Sequence, residues 1–451
     1  MIQQSIYHKA ALRHAQYYLD ILKTVKQHIE REPLPMRLLF NENFSQIIQA
    51  REWLLEHHPP LLIEFVLNGI TALAAWNTLE EQIIWLTDGI HAAETLNNVP
   101  ELVHMMNELS ECYLVHQSVS ESYEMAQKAW AIVDDPVLKA DTLVRIGRSH
   151  IILHRHDPHL AQDALSEAVT LYEAAGAHEK QSWALHNLAS AMEISGDLAG
   201  ARDILHQAIE LLDPLSMTRQ RASSLSRMGA VLEQLGEIEA ARQHIEAALH
   251  IAQYSHNNIL MVSVLMRMSD LHHAIQNYDL SNMYMDEALE IARRVGANTY
   301  IASITYNKGV NHLIHGNFAA AVDYFLEASG LYRSMNHLHW LANANIALSL
   351  CAIVQNQYDV VTPYLAEANQ LSLDALRRRG VVMMYIYFKL LQEGDEALFV
   401  SGYKHLRDTY VVQYYTVEWG LLTEAFNSRE LEAVDATLTY DDILEMMQKT
   451  L

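Results

Sequence analysis

The chain has 451 residues, of which only 16 are glycine and 9 are proline. This shortage of turn-forming residues excludes β-sandwiches, barrels and disordered chains, and it favours helices joined by short turns. Lys and Arg number 31 against 55 Asp and Glu, a net charge of −24, so we do not expect the protein to neutralise the phosphates of DNA or RNA.

The sequence predicts a soluble, cytoplasmic protein. Residues 1–9 lack the apolar core of a signal peptide, and the longest apolar stretch, 61–76, is interrupted by Glu64 and Asn68. Cys112 and Cys351 are far apart in sequence, which indicates neither a disulfide framework nor a zinc ligand pair. We therefore expect two free, buried thiols and no interaction with a membrane.

The N-terminal part is predicted to form a helical cap. Two amphipathic segments, 8–31 and 40–57, are separated by the sequence EPLP at 32–35. One further helix pair is predicted over 61–96, in which the positions that hold small residues in the later repeats are poorly kept. We place the cap at residues 1–58 and an array of about eight helix pairs at residues 59–372.

A repeat of 40 residues dominates the middle of the chain. The segments LASAMEISGDLAGARDILHQAIEL from 188 and MGAVLEQLGEIEAARQHIEAALHI from 228 align without gaps at an offset of 40. An alanine late in each second helix recurs once at a spacing of 39 and then always at 40. These alanines are Ala129, Ala168, Ala208, Ala248, Ala288, Ala328 and Ala368. Such a period predicts stacked antiparallel helix pairs.

Each repeat places its residue types where two crossing helices need them. Small residues early in the second helix allow close approach, and a bulky residue four positions later packs against the first helix. The small residues are Ala201, Ala241, Ser281 and Ala321, and the bulky ones are Leu205, Ile245, Met285, Phe325 and Leu365. The turn between the helices predicts a left-handed C-cap. The residues at this turn position in successive repeats are Gly196, Gly236, Gln276, Gly316 and Asn356.

This pattern resembles the tetratricopeptide repeat (TPR) family over roughly residues 101–371, with units of 40 residues in place of the usual 34. The resemblance implies an all-α, right-handed superhelical solenoid of antiparallel helix pairs with helical caps at both ends. Units of this longer form are similar to the TPRs of bacterial peptide-sensing regulators and signalling adaptors.

The N-terminal segments followed by the array also resemble the sensor arm of bacterial STAND-type ATPases. An independently evolved cap is the alternative. The sequence contains no G-x-x-x-x-G-K-[ST] phosphate loop, so we assign no nucleotide switch to it.

The C-terminal part, 373–451, is predicted to hold a divergent repeat and capping helices. A helix pair is expected over 380–408 around Gly394, followed by short helices. Arg377, Arg378 and Arg379 are predicted to end a helix before Gly380, because the helix dipole favours cations at that end.

The sequence provides no sign of catalysis. It lacks the G-x-S-x-G and H-E-x-x-H signatures, so we expect no enzymatic activity and assign no catalytic residue. The strongest candidate for a metal site is HIILHRHDPH, in which His150 and His154 share a helical face and His156 follows. The alternative is a solvated turn, because this repeat has two extra residues, and we assign no metal ligand and no cofactor.

The resemblance implies that the first helices line an inner groove and that one phase of each helix points into it. That phase has Arg145, Asn187, Arg227, Arg267 and Asn307, and neighbouring phases add Arg148, Trp183, His186 and Tyr306. Arginine forks bind carboxylates, and asparagine amides pair with an extended backbone. We therefore expect this row to bind a peptide or protein segment, with a free or side-chain carboxylate as a candidate feature. It resembles the carboxylate clamp of chaperone-binding TPRs and the asparagine ladders of peptide-pheromone receptors.

Two alternatives remain open for this surface. In the first, the arginines pair with groove acids such as Glu193, Glu233 and Asp270, and the face is solvated and binds nothing. In the second, the array is a small-molecule sensing arm that works with a separate nucleotide-binding or DNA-binding partner. That function requires a closed apolar pocket near Trp183 and Tyr306.

Overall fold

The computed structural model describes residues 2–29, 33–76, 79–115, 118–153, 158–213, 218–255, 257–371, 375–407, 416–429, 431, 434 and 438–451. Helices are the only regular secondary structure of these residues, which confirms the all-α prediction. None of the helices in these ranges has the length and apolar composition needed to cross a bilayer. Cys112 and Cys351 are both buried, as predicted, and they are not joined in a disulfide.

The chain divides into two compact units. Unit 1 is Met1–Asn277 and unit 2 is Tyr278–Leu451. Unit 1 contains α1 Ile2–His28, α2 Pro33–His57, α3 Pro59–Trp76, α4 Leu79–Thr95, α5 Val99–Val115, α6 Val119–Trp130, α7 Pro136–Leu153, α8 His159–Ala174, α9 His178–Ser195, α10 Leu198–Glu210, α11 Arg219–Gln234, α12 Ile238–Tyr254 and α13 Asn258–Ala274. Unit 2 contains α14 Tyr278–Val295, α15 Asn298–Ile314, α16 Phe318–Ser334, α17 Leu338–Val354, α18 Tyr358–Leu371, α19 Ala375–Glu393, α20 Glu396–Arg407, α21 Thr416–Ser428 and α22 Tyr440–Thr450. The domain boundaries after residues 58 and 372 stay a prediction.

The N-terminal helices α1 and α2 pack against each other and against α3. Helix α2 begins at Pro33, several residues earlier than the amphipathic pattern predicts. Prolines are well accommodated in a first helical turn, where the missing N–H has no intrahelical partner to lose. Pro33 and Pro35 therefore start this helix instead of separating it from α1.

The repeat units have the predicted packing. Consecutive helices pair as α5–α6, α7–α8, α9–α10 and α11–α12 in unit 1, and as α15–α16 and α17–α18 in unit 2. The small residues Ala201, Ala241, Ser281 and Ala321 and the seven recurring alanines have no exposed surface. The bulky residues of the same pattern are buried beside them.

Close approach and turn geometry also match the sequence pattern. A Cβ added at Gly309 of α15 would lie 2.7 Å from Cε1 of Phe325 on α16, so this crossing tolerates no larger residue without movement. The inter-helix turns have the predicted left-handed backbone, with φ of 83° at Gly196, 60° at Gln276 and 58° at Asn356.

The predicted helix end at Arg377, Arg378 and Arg379 is wrong. Helix α19 begins at Ala375 and continues through Gly380 to Glu393. The following residues, from Val381 to Phe388, are all buried, and this apolar packing outweighs the local cost of a glycine. The arginines therefore lie at the N-terminal end of α19, where Arg379 and Arg378 partly offset the rise that burial causes in the pKa of Tyr440.

Unit 2 also contains a helix that is buried along nearly its whole length. In α17 the thirteen successive residues Leu341–Ile353 are buried. They include Ala347, which stands at the groove phase that other repeats fill with Arg or Asn.

Candidate ligand-binding groove

The first helices of successive pairs are neighbours in unit 1. Helix α5 contacts α7, α7 contacts α9, α9 contacts α11, and α11 contacts α13. Side chains that lie about one repeat apart in sequence therefore meet in space. We use the name polar row for the contacting side chains of Glu111, Arg148, Trp183, His186, Arg227 and Glu193.

Two arginines of α7 share one carboxylate of α5. Nε of Arg145 lies 3.3 Å from Oε2 of Glu111 and donates to the carbonyl oxygen of Asn107. Nη1 of Arg148 donates to the same Oε2. Burial acts to raise the pKa of Glu111, but Arg145 and Arg148 outweigh burial and lower this pKa to about 2. Glu111 is thus ionised and fixes both guanidinium groups.

An aromatic pair on α9 forms the centre of the row. Cζ of Arg148 lies 5.8 Å from the centre of the Trp183 ring, a cation–π distance. Trp183 stacks on His186 with ring centres 4.8 Å apart and an interplanar angle of 8°. Arg148 is thereby connected to the next repeat through a ring face, without a charge of opposite sign.

His186 is 6% exposed and contacts α11 through both ring nitrogens. Its Nε2 accepts from Nε of Arg227, and its Nδ1 lies near Oγ of Ser224, each at 3.4 Å. Burial, together with Arg227 and Arg148, lowers the pKa of His186 well below 6.5. A neutral ring with its proton on Nδ1 satisfies both contacts.

Arg227 is held by a second carboxylate. Its Nη1 donates to Oε2 of Glu193 at 3.0 Å, and Nε2 of Gln234 donates to the other oxygen of Glu193 at 2.7 Å. Arg267 on α13 differs, because it pairs with Asp270 on its own helix at 3.1 Å and its side chain is 49% exposed. The side chain of Arg145 is only 16% exposed. Arg267 is thus the most accessible arginine among the predicted site residues of unit 1.

The remaining predicted residues are placed in different ways. Nδ2 of Asn187 donates to the carbonyl oxygen of Trp183 one turn earlier, at 2.7 Å, and the residue is buried. Asn307 and Tyr306 lie half-buried on α15 of unit 2. The Tyr306 ring packs against Phe325 and Trp340, with ring centres 5.3 and 6.3 Å away. Tyr306 therefore contributes to the core of unit 2.

Residues 260–334 match the tetratricopeptide repeat family, and no curated protein matches the chain in sequence. Among solved structures the chain is similar to a Rap protein complexed with competence and sporulation factor, with a TM-score of 0.53 and 12% identity over 82% of this chain and 99% of that one. The apo form of RapI has a TM-score of 0.44 and 14% identity, over 62% and 98% of the two chains. Aspartyl phosphate phosphatase F from Bacillus subtilis has a TM-score of 0.46 and 11% identity, over 79% and 94%.

The chain has a TPR-type helical-repeat fold. The sequence predicts Arg145 and Arg148 as site residues but does not identify Glu111, which pairs with both of them. Glu111 lies upstream of the one repeat spacing that is 39 instead of 40, so its phase is poorly defined by the period. The available signal was an acid on the preceding first helix, about one repeat before Arg145 and Arg148.

The candidate metal site and the small-molecule alternative both stay hypotheses. His154 and His156 lie outside the described residues. His150 is buried on α7 with its ring 4.9 Å from that of Tyr123. Within the described parts of the chain, no three His, Cys, Asp or Glu residues are arranged to hold a metal. A cavity of about 490 Å³ in unit 2 is lined by His312, Gly316, Asn317, Phe318, Ala319, Ala320 and Gln355, and not by Trp183 or Tyr306.

Proposed function

We propose that this chain is a non-enzymatic, cytoplasmic regulatory protein that binds a peptide or protein segment along the polar row and the adjoining surface of α13. The ligand-binding residues that the proposal places in unit 1 are Arg145, Asn187, Arg227 and Arg267, with Arg148 and Trp183, whereas Asn307 and Tyr306 of unit 2 stay sequence predictions. The observation that supports it best is continuity. Contacts join Arg148 to Trp183, Trp183 to His186 and His186 to Arg227, from α7 to α11.

The two arginines of the polar row, and Arg145 beside it, are held in place before any ligand arrives. Glu111 fixes Arg145 and Arg148, and Glu193 fixes Arg227. A fixed side chain loses less conformational entropy when a ligand binds, which favours affinity. A guanidinium group has five N–H donors, so one that already holds a carboxylate keeps donors for a ligand.

The charge balance of the surface argues for recognition by hydrogen bonds. The ion pairs Arg227–Glu193 and Arg267–Asp270 are two that the solvated-face alternative requires, and both are present. Since Arg227 and Arg267 are each matched by one acid, the net attraction of these two for an anion is small. The arrangement suits a peptide backbone with one carboxylate near Arg267, whose exposed pair contributes only about 0–1 kcal/mol and is easily exchanged.

The fold is compatible with this role. The Rap structure that shares it over most of both chains contains bound competence and sporulation factor. That binding belongs to the Rap protein. It supports the proposal because a helical-repeat chain of similar extent holds another molecule.

Peptide selection followed by paired substitutions tests the proposal. Binders selected by the full chain from a random peptide display library are synthesised, and their affinities are measured by calorimetry. We expect Arg227→Ala with Arg267→Ala to weaken binding, because each loss of a charged hydrogen bond costs about 1–3 kcal/mol, or roughly 5- to 150-fold in Kd.

The matched control is Arg202→Ala with Arg242→Ala, two exposed arginines on the second helices α10 and α12. This variant should bind with the affinity of the unaltered chain. Unchanged affinity of the groove variant, or equal losses in both variants, would contradict the proposal and support a solvated face.

A further inference from the structure

The polar row consists of two ionic ends joined through one imidazole. One end is Glu111 with Arg148, on α5 and α7. The other is Arg227 with Glu193, on α11 and α9. We propose, building on the proposed function, that His186 is a positioning residue that couples these two ends, so that the row responds to a ligand as one unit rather than repeat by repeat.

The first link is the contact between Arg148 and the aromatic pair. The guanidinium carbon is 5.8 Å from the Trp183 ring centre, and Trp183 is stacked nearly parallel to His186. A cation over an indole is held by the ring face, so the position of Arg148 depends on the orientation of Trp183. That orientation depends in turn on the ring stacked beneath it.

The second link is the hydrogen bond from Arg227 to His186. Nε2 of His186 is the acceptor, and the ring is too buried for water to replace Arg227. If a ligand draws Arg227 away from Glu193, the imidazole loses its donor and has to reorient to find another. Reorientation of the imidazole disturbs its stacking on Trp183, and this in turn changes the ring face against which Arg148 lies.

No other described contact of His186 provides the same connection. Ser224 fixes Nδ1 and therefore the tautomer, but it lies on α11 beside Arg227. A phenylalanine at position 186 would keep a ring against Trp183 and lose the acceptor. A phenylalanine at position 183 would keep a ring for both Arg148 and His186. The two substitutions therefore separate the hydrogen bond from ring packing.

The test is hydrogen–deuterium exchange of the ligand-free full chain, read by mass spectrometry. Glu193→Gln weakens the pair with Arg227, and we expect the amides of α5 and α7 to exchange at least threefold faster. Glu246→Gln is the matched control, since Glu246 also pairs with an arginine, Arg242, but both lie on the second helix α12 and neither is part of the row. It should leave α5 and α7 unchanged.

The decisive comparison adds Glu193→Gln to two other variants of the chain, His186→Phe and Trp183→Phe. With His186→Phe, adding Glu193→Gln should no longer accelerate α5 and α7, whereas with Trp183→Phe it should still do so. Acceleration that survives His186→Phe would show that the effect travels by helix packing and would overturn the proposal, as would a response confined to α9 and α11. If circular dichroism shows that His186→Phe does not fold, Trp183→Leu severs the same chain of contacts and carries the same expectation. Because no ligand is used, failure of peptide binding and failure of coupling are separate results.

Discussion

Single residues of the groove are stabilised by specific partners rather than by exposure to water. Glu111 faces two guanidinium groups, and His186 accepts from a third. A buried charge or acceptor that loses its partner costs more than the pair contributes, because the remaining group is left without water. Substitutions in this row therefore act on neighbouring repeats as well as on their own.

His186 should make stability depend on pH. An unfolded histidine titrates near 6.5, whereas in the fold the pKa of His186 lies well below that value. Protons therefore bind the unfolded chain first, so the contribution of His186 is complete above about pH 6.5 and declines as the pH falls below it. We expect urea denaturation between pH 7 and 5 to show a slope larger than that of His186→Phe by up to about 1.4 kcal/mol per pH unit.

The control for this slope is His250→Phe. His250 is exposed on α12, and this variant should keep the slope that His186 supplies. Parallel curves for the unaltered chain and His186→Phe would mean that this imidazole does not supply the predicted slope.

The sequence predicts which residues of the groove are donors, but not what they contact. Arg227 reaches Glu193 of the preceding first helix, as one alternative anticipates, while Asn187 bonds to its own helix. Partners such as Glu111 come from another repeat, and their choice depends on side-chain rotamers that a repeat period does not encode. Whether the donors bind a ligand stays a prediction.

Among the helices, periodicity determined most of what could be predicted. The small and bulky positions are buried and the left-handed turns are present because they satisfy packing and backbone needs shared by every unit. The errors occur where that period is absent. Helix α2 starts at a proline, and α19 continues through Gly380 because buried apolar residues follow it. In both places long-range packing decides a boundary that local signals leave ambiguous.

Two glycines of one helix pair should respond to alanine in opposite ways. A methyl group at Gly309 meets the rigid Phe325 ring at 2.7 Å, so Gly309→Ala should lower the free energy of unfolding by about 1–3 kcal/mol. A methyl group at Gly330, which is exposed on α16, meets no described atom within 4 Å. Gly330→Ala should raise that free energy by up to about 1 kcal/mol, the helix-propensity difference.

Thermal and urea denaturation of both variants measures this contrast. A Gly309→Ala protein as stable as Gly330→Ala would show that α15 and α16 can separate at their crossing at little cost. It would also remove the physical reason for small residues at this phase.

At the scale of the whole molecule, charge depends strongly on pH. The net charge of −24 counts the 25 histidines as neutral, and each histidine that binds a proton makes this charge less negative. The isoelectric point of the sequence is about 5.4. Burial lowers the pKa of both His186 and His272, so these two bind protons less readily than an unperturbed histidine. We expect light scattering to increase as the pH falls from 8 to 5, because mutual repulsion weakens as the net charge approaches zero. Constant scattering over this range would contradict the expectation.

The burial of helix α17 limits where a peptide could bind on unit 2. Because thirteen successive residues of it are buried, it has no side along which a second polypeptide could run. A peptide bound to unit 2 therefore cannot contact the side of α17. Lengthening the peptide toward α17 would add no further contacts. The affinity of such a peptide should stop increasing beyond a certain length. A series of truncated peptides would therefore identify the shortest one that binds with full affinity.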